Sequence, residues 1–264
     1  MTHEQETPLE IALRLASADP ARRPEFYRLL LESQVFILSR SDGTAKTNRT
    51  LAAGEKISIQ HWLRNDGSPV IPFFSSMAAL QRAIAQETPY MAFAARALFE
   101  MTRGSPLVLN PKSPYGKELL PQEIEALLTN GVNHQAEQRV ITQPTRVLLG
   151  QPANYPQKMV DSLTALLARQ SKVKAAYLAL MHDPAHDEKP CLVVGIEADG
   201  DMEQLIRDAG AVAADTAPNR EPVDLLRIKR GDGGLSDYCL RSVKPFYERG
   251  WSGKLKSLLG IGST

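Results

Sequence analysis

Pro69-Val-Ile-Pro-Phe-Phe74 leads through Ser75-Ser76 into Met77-Ala-Ala-Leu-Gln-Arg-Ala-Ile84, and the same order returns at Cys191-Leu-Val-Val-Gly-Ile196, Glu197-Ala-Asp-Gly-Asp201 and Met202-Glu-Gln-Leu-Ile-Arg-Asp208. An apolar run of six residues fits a buried strand, and Met77, Leu80 and Ile84 recur at the spacing that shares one helix face. The short polar residues between supply side-chain acceptors for first-turn N–H groups that have no partner of their own. Written twice, this grammar predicts two α/β-type modules in one chain. Neither turn has the glycine spacing of a phosphate-binding loop, so it speaks to architecture and not to chemistry.

Outward from the first stretch, Leu9, Leu13 and Ala16 share a helical face, and Pro24 opens a second helix with Phe26, Leu29 and Leu30 inward. Gln34 to Ser39 reads as a strand and Arg40 to Thr50 as a polar loop. Residues 56–63 alternate, with Ile57, Ile59, His61 and Leu63 expected inward, and Asp66-Gly67 predicts a hairpin into the Val70 strand. Tyr90 to Phe93 and Leu107 to Leu109 are strands around a helix that Gly104 ends; Pro121 starts another helix. Apolar periodicity fades between Thr129 and Gln143, which sets the expected domains at 1–144 and 145–264. In the second, a long helix begins at Pro156 and the 173–181 and 191–196 strands form a hairpin. A helix over 201–209 ends at Gly210, Val223 to Ile228 is a strand, and Leu235 to Arg249 reads as helical with a break at Pro245. The fold class is α+β, two successive modules, each a small mixed or antiparallel sheet with flanking helices.

The chain has 264 residues, with 31 basic and 30 acidic side chains. Length above the usual single-domain range agrees with two domains. The cancelled charge gives no cationic surface for nucleic acid, and no nucleic-acid partner is expected. No run approaches the roughly 18 apolar residues of a membrane span, and the acidic start lacks a secretory leader, so a cytoplasmic protein is expected. The two cysteines, Cys191 and Cys239, stand in no paired spacing and read as buried thiols of a reducing compartment.

Several separated segments carry a resemblance: His61-Trp62 with Asp66-Gly67 and Val70-Ile-Pro-Phe-Phe74; Leu98-Phe-Glu-Met101; Leu109-Asn110 with Gly116-Lys-Glu118; Met159-Val-Asp-Ser-Leu163; Gly195-Ile-Glu-Ala-Asp-Gly-Asp201; and Pro245-Phe-Tyr-Glu-Arg249 before Trp251. In this order, over about residues 9 to 252, the chain resembles the bacterial enhanced serine sensitivity (SseB) family. The resemblance implies an N-terminal and a distinct C-terminal domain. It implies no catalytic residues, and a link to amino-acid metabolism or its regulation.

The chemistry-bearing residues each have a structural reading. Glu197, Asp199 and Asp201 could offer oxygens to a hard cation, but the ligand spread of an EF-hand is missing, and helix capping by Asp199 or Asp201 accounts for them. His182 and His186 would converge only on a helix, which Pro184 argues against, so they read as a hairpin loop. His61 on an inward face reads as a hydrogen-bonded core residue. Arg230-Gly-Asp-Gly-Gly234 is a linker, and the basic, apolar segment from Arg241 to Leu259 reads as a loosely docked tail with a solvated cationic face. No catalytic residue, metal site or cofactor is therefore predicted. The leading expectation is a non-catalytic protein that binds another protein through aromatic and arginine side chains: Trp62, Phe74 and Tyr115 in the first domain, Tyr247, Arg249 and Trp251 in the second. Two alternatives remain: a small-molecule sensor with a ligand between the domains, and a hydrolase or transferase using His61 with Glu100 or Glu118.

Overall fold

The computed structural model describes residues 6–39, 58–134, 147–184 and 188–250. The expected boundary at 144/145, the start of the 56–63 strand, His186 and Trp251 with the tail after it lie outside them. The chain forms two compact units, Met1–Gln135 and Ala136–Thr264. Each is a mixed sheet with helices, the α+β architecture read from the sequence.

In the first unit, α1 (Pro8–Ala18) and α2 (Arg23–Glu32) precede β1 (Gln34–Leu38). Thr7 and Glu10 form a reciprocal capping box that satisfies two orphan donors at the start of α1. Next come β2 (Trp62–Leu63), β3 (Pro69–Phe74), α3 (Met77–Ala83), β4 (Tyr90–Ala94), α4 (Ala95–Met101), β5 (Leu107–Leu109), β6 (Lys117–Leu119) and α5 (Pro121–Asn130). The sheet order is β4-β1-β3-β5-β6, with β2 also on β3; β3 and β5 run parallel and the other pairs antiparallel. Strand β6 carries no apolar run, which is why periodicity alone misses it.

Successive side chains of a strand face opposite ways, and β3 is buried on both sides. Phe73 enters the larger core with Leu9, Leu13, Phe26, Leu30 and Phe99, while Phe74 enters a smaller one with Leu38, Ala79 and Leu80. Pro72 sits in this central strand without costing a ladder bond. The Ile71 N–H donates to the Pro106 carbonyl just before β5, and the Phe73 carbonyl accepts from the Asn110 N–H just after it, so both residues turn their main-chain groups to the β5 side. Those of Pro72 therefore face the other side, where the partner changes from β2, opposite Val70, to β1, opposite Phe73. The N–H that proline lacks would have no strand partner there.

The second unit contains β7 (Leu148–Gly150), α6 (Gln157–Ala168), β8 (Val173–His182), β9 (Cys191–Ala198), α7 (Glu203–Thr216), β10 (Val223–Arg227), α8 (Gly234–Ser242) and β11 (Tyr247–Glu248). Its order is β10-β9-β8-β11, with β7 also on β8. Strands β8 and β9 form the expected hairpin, and β9-α7-β10 is a parallel crossover. Helix α6 buries Met159, Leu163 and Leu167 and packs on α7. On the other face, Cys239 and Val243 of the α8 segment cover Ala175, Tyr177 and Ile228.

Three expectations are corrected. Helix α7 runs through Gly210 to Thr216. The 235–249 stretch is not one helix: α8 stops at Ser242, and after Pro245 the chain becomes β11 because the β8 edge offers it a partner. In β2 the faces are exchanged: Trp62 is half-buried while His61 and Leu63 are exposed. Among the described residues no helix is long and apolar enough to cross a membrane.

Candidate functional site

The β2–β3 hairpin is built by its turn. Asp66 Oδ1 accepts from the Ser68 N–H at 2.9 Å and the Ser68 hydroxyl at 2.6 Å, and Gly67 takes φ +81°. Glycine reaches that left-handed conformation without a Cβ clash. Both hydrogen bonds from Ser68 hold the Asp66 carboxyl below its ordinary pKa. Arg64 donates to Ser68 Oγ at 2.8 Å and pairs with Glu118 on β6, so the turn is fastened to the sheet.

The hairpin sets Trp62 over Phe74, edge to face, with ring centroids 6.3 Å apart. Lys112, from the loop after β5, places its ammonium 5.1 Å from the Trp62 ring centre and donates to the Ala83 carbonyl at 3.1 Å. A cation over the indole face is attracted by the ring quadrupole. Reaching this position takes an unusual backbone: Asn110 and Lys112 both have positive φ, 51° and 63°. Gly116 closes the loop because a Cβ there would lie 2.9 Å from the Leu109 carbonyl oxygen.

Beside this, at the carboxyl ends of the parallel strands β3 and β5, lies a hydrogen-bonded polar cluster. Buried Asn110 accepts from the Ser75 N–H at 2.9 Å and donates to Ser75 Oγ at 2.7 Å. The hydroxyls of Ser75 and Ser76 donate to Glu10 Oε1 at 3.1 and 2.8 Å, the Thr7 N–H donates to Oε2 at 2.8 Å, and Arg82 stands 3.8 Å away. Burial pushes the Glu10 carboxyl up, but these hydrogen bonds outweigh it and hold the pKa below the ordinary value. Ser76 also caps α3 by accepting from the Ala79 N–H. A cavity of about 410 Å³ adjoins the cluster, lined among others by Thr7, Gln34, Phe36, Ser75 and Ser76.

Of the residues singled out from sequence, Trp62 and Phe74 are brought together, with Phe74 fully buried and supporting Trp62. Tyr115 follows Lys112 in the same loop, 41% exposed and within electrostatic reach of Arg14 on α1. Tyr247 is a half-buried residue of β11. Arg249 acts as a clamp: its N–H donates to the Lys174 carbonyl at 2.8 Å, and its guanidinium to the carbonyls of Val173, at 2.7 Å, and Gln170. Trp251 lies outside the described residues.

Glu100 is exposed on α4, and the Glu118 carboxylate is engaged by Arg64. Asp201 accepts from the Glu203 N–H at 3.0 Å at the start of α7, whereas Asp199 pairs with Lys174 at 2.6 Å. Among the described residues no three His, Cys, Asp or Glu side chains stand close enough to hold a metal. Sequence reasoning missed Lys112, Glu10 and Asn110. Only Asn110, of a residue type that tolerates a left-handed backbone after a strand, carried a signal.

The sequence pattern of the SseB protein N-terminal domain matches residues 9–126, and that of the SseB protein C-terminal domain matches residues 141–249. The chain is 40% identical over 253 residues to Protein SseB of Escherichia coli (strain K12), covering 96% of each chain, and equally so to Protein SseB of Shigella flexneri. No solved structure matches. With both domain patterns in order and that identity along nearly the whole length, the chain belongs to the SseB family.

Proposed function

We propose that this chain is a non-catalytic cytoplasmic protein that binds and regulates another protein through the face formed by Trp62, Lys112 and Tyr115, in a process linked to serine or sulfur amino-acid metabolism. The observation that carries the reading is the cost spent on that face. Lys112 holds a left-handed backbone, unfavourable by about 1–3 kcal/mol for a residue of its type, two positions after buried Asn110, which tolerates one, and this loop sets the lysine on a half-buried tryptophan. Strain kept at a surface is a mark of function, and aromatic anchors dominate binding hot spots. Leu63, next to Trp62 and 74% exposed, extends the apolar part of the face. The metabolic link is proposed from the resemblance to the enhanced serine sensitivity family alone.

The test is complementation in a host lacking its own copy. Wild type, Trp62→Ala and Lys112→Ala are compared for growth in excess serine and for proteins cross-linked to the chain in the cell. Both variants are expected to lose growth and the same cross-linked partner while keeping the wild-type circular dichroism spectrum. Folded variants that grow and cross-link like wild type would overturn the reading. A second reading, a small-molecule sensor, is favoured by the cavity beside Ser75 and Ser76. Thermal stabilisation by an amino acid that vanishes in Ser76→Ala would select it.

A further inference from the structure

The two sheets end on strands of different composition. Strand β6 carries Lys117 and Glu118, and β10, the end strand of the second sheet, carries Asp224 and Arg227. Charges on an end strand keep it from pairing with another molecule. Strand β4, at the other end of the first sheet, is Tyr90-Met-Ala-Phe-Ala94, with no charge, no proline and an unbroken register on β1. The Ser39 N–H donates to the Pro89 carbonyl and the Ala95 N–H to the Ser33 carbonyl, so residues 89 and 95 turn their main-chain groups to β1. Alternate residues of a strand turn to the same neighbour, which assigns Met91 and Phe93 to β1 as well. Tyr90, Ala92 and Ala94 turn theirs outward, where no strand of the described residues pairs with them. All three are exposed, Tyr90 by 49%. Their side chains share one face of the sheet, on which Tyr90 meets the Phe36 ring edge-on, with centroids 6.1 Å apart. Met91 and Phe93 pack against the larger core on the other face.

We propose that β4 is the contact between two copies of this chain, paired antiparallel about a two-fold axis at Ala92, so that two sheets join into one. The strand is complementary to itself. Ala92 exchanges both its main-chain bonds with the second copy's Ala92, and each Ala94 N–H donates to the other copy's Tyr90 carbonyl. The Ala94 carbonyl, at the N-cap of α4, accepts the first helical bond, and the ladder ends there. On the exposed face Tyr90 comes opposite Ala94, large against small, and on the other face Met91 comes opposite Phe93. Charge agrees with this orientation, since exposed Glu87 precedes β4 and exposed Arg96 follows it. Antiparallel pairing sets the start of one strand beside the end of the other, so each Glu87 lies toward the second copy's Arg96. The Arg96 guanidinium donates from Nη1 to the Leu128 carbonyl at 3.3 Å and keeps further donors for a carboxylate. Parallel pairing would bring like charges together instead. A contact built on a strand of 5 residues is small, so the dimer is a weak one.

The test is the molar mass of the full chain by sedimentation equilibrium, from micromolar to millimolar concentration. Wild type, Ala92→Lys, Ala92→Glu and an equimolar mixture of the two variants are compared. The wild type is expected to rise from 29.1 kDa toward twice that mass. Each variant alone sets like charges against each other at the axis and should raise the dimer dissociation constant about fivefold. The mixture sets lysine against glutamate and should regain the wild-type mass, which also shows that both variants are folded. A wild type that stays at the monomer mass to millimolar concentration overturns the proposal, whatever else then covers the edge. A dimer that both single variants leave unchanged overturns it too, by placing the contact elsewhere. So does a mixture that fails to regain mass, because only a residue at the axis faces its own counterpart.

Discussion

Gly195 shows how one position of β9 is fixed by a contact from a distant part of the chain. A Cβ built there would stand 2.5 Å from Ile228 Cγ1 and 2.6 Å from its Cδ1, with Cys239 Sγ at 3.5 Å. Ile228 is 1% exposed and Cys239 also 1%, so neither neighbour has open space to move into. The same burial pushes the Cys239 thiol up to about 11, which leaves it protonated and apolar at neutral pH. Gly195→Ala is therefore expected to destabilise the fold by about 1–3 kcal/mol, the range of an overpacked core. Ile228→Ala alone should cost about 2–5 kcal/mol for its cavity. Combined, the two should cost less than their sum, because removing Ile228 makes room for the new methyl. Urea unfolding of the double-mutant cycle measures the coupling; strict additivity would mean that the glycine is not there for Ile228.

At the scale of elements, Gly210 gives the opposite outcome. It lies inside α7, outside the set of left-handed glycines, and its added Cβ would meet only Leu225 Cδ1 of β10, at an ordinary 3.8 Å. Glycine in a helix interior costs about 1 kcal/mol relative to alanine. Gly210→Ala is expected to stabilise the chain by about 0.5–1 kcal/mol in urea unfolding, and a loss of stability would show that α7 sits too close to β10 for a methyl group. The same glycine explains where the sequence misleads. Glycine is read as a helix terminator, correctly at Gly104, which stands in the left-handed conformation just after α4 ends, and wrongly at Gly210, where nothing forces the chain to leave the helix. Local signals suffice where an element's own residues decide it: the Leu9, Leu13 and Ala16 face, the Ser76 cap and the Asp66-Gly67 turn all lie where the sequence indicates. They fail for Tyr247 to Arg249, whose strand pairing is supplied by β8 from some seventy positions away. The candidate site divides in the same manner. Trp62 and Tyr115 are legible as aromatics, but the face of β2 that turns inward is set by Phe74 and by Lys112 from a later loop.

At the scale of the whole molecule, each unit has its own buried clusters, built from its own sheet and helices. A perturbation of one core should then be felt within that unit. Glu10 provides the means: it joins the start of α1 to the β3–α3 turn through Thr7, Ser75 and Ser76. Its pKa in the folded chain lies below the ordinary 4.5, so the ionised form is the one that folding favours. A carboxyl depressed in this way contributes stability that is complete above the unfolded pKa and is lost as pH falls through the folded one. Glu10→Gln is expected to cost about 1–2 kcal/mol at pH 7, the scale of lost charged hydrogen bonds at a half-buried site. The gap between wild type and variant should hold down to about pH 5 and narrow as pH falls below 4.5. Hydrogen exchange at pH 7 locates the effect: peptides from residues 6–134 should lose protection, and those from 147–250 should exchange as in wild type. Equal loss in both would mean that the two units unfold as one cooperative body, and a gap that widens toward acid would mean that Glu10 is held in its protonated form.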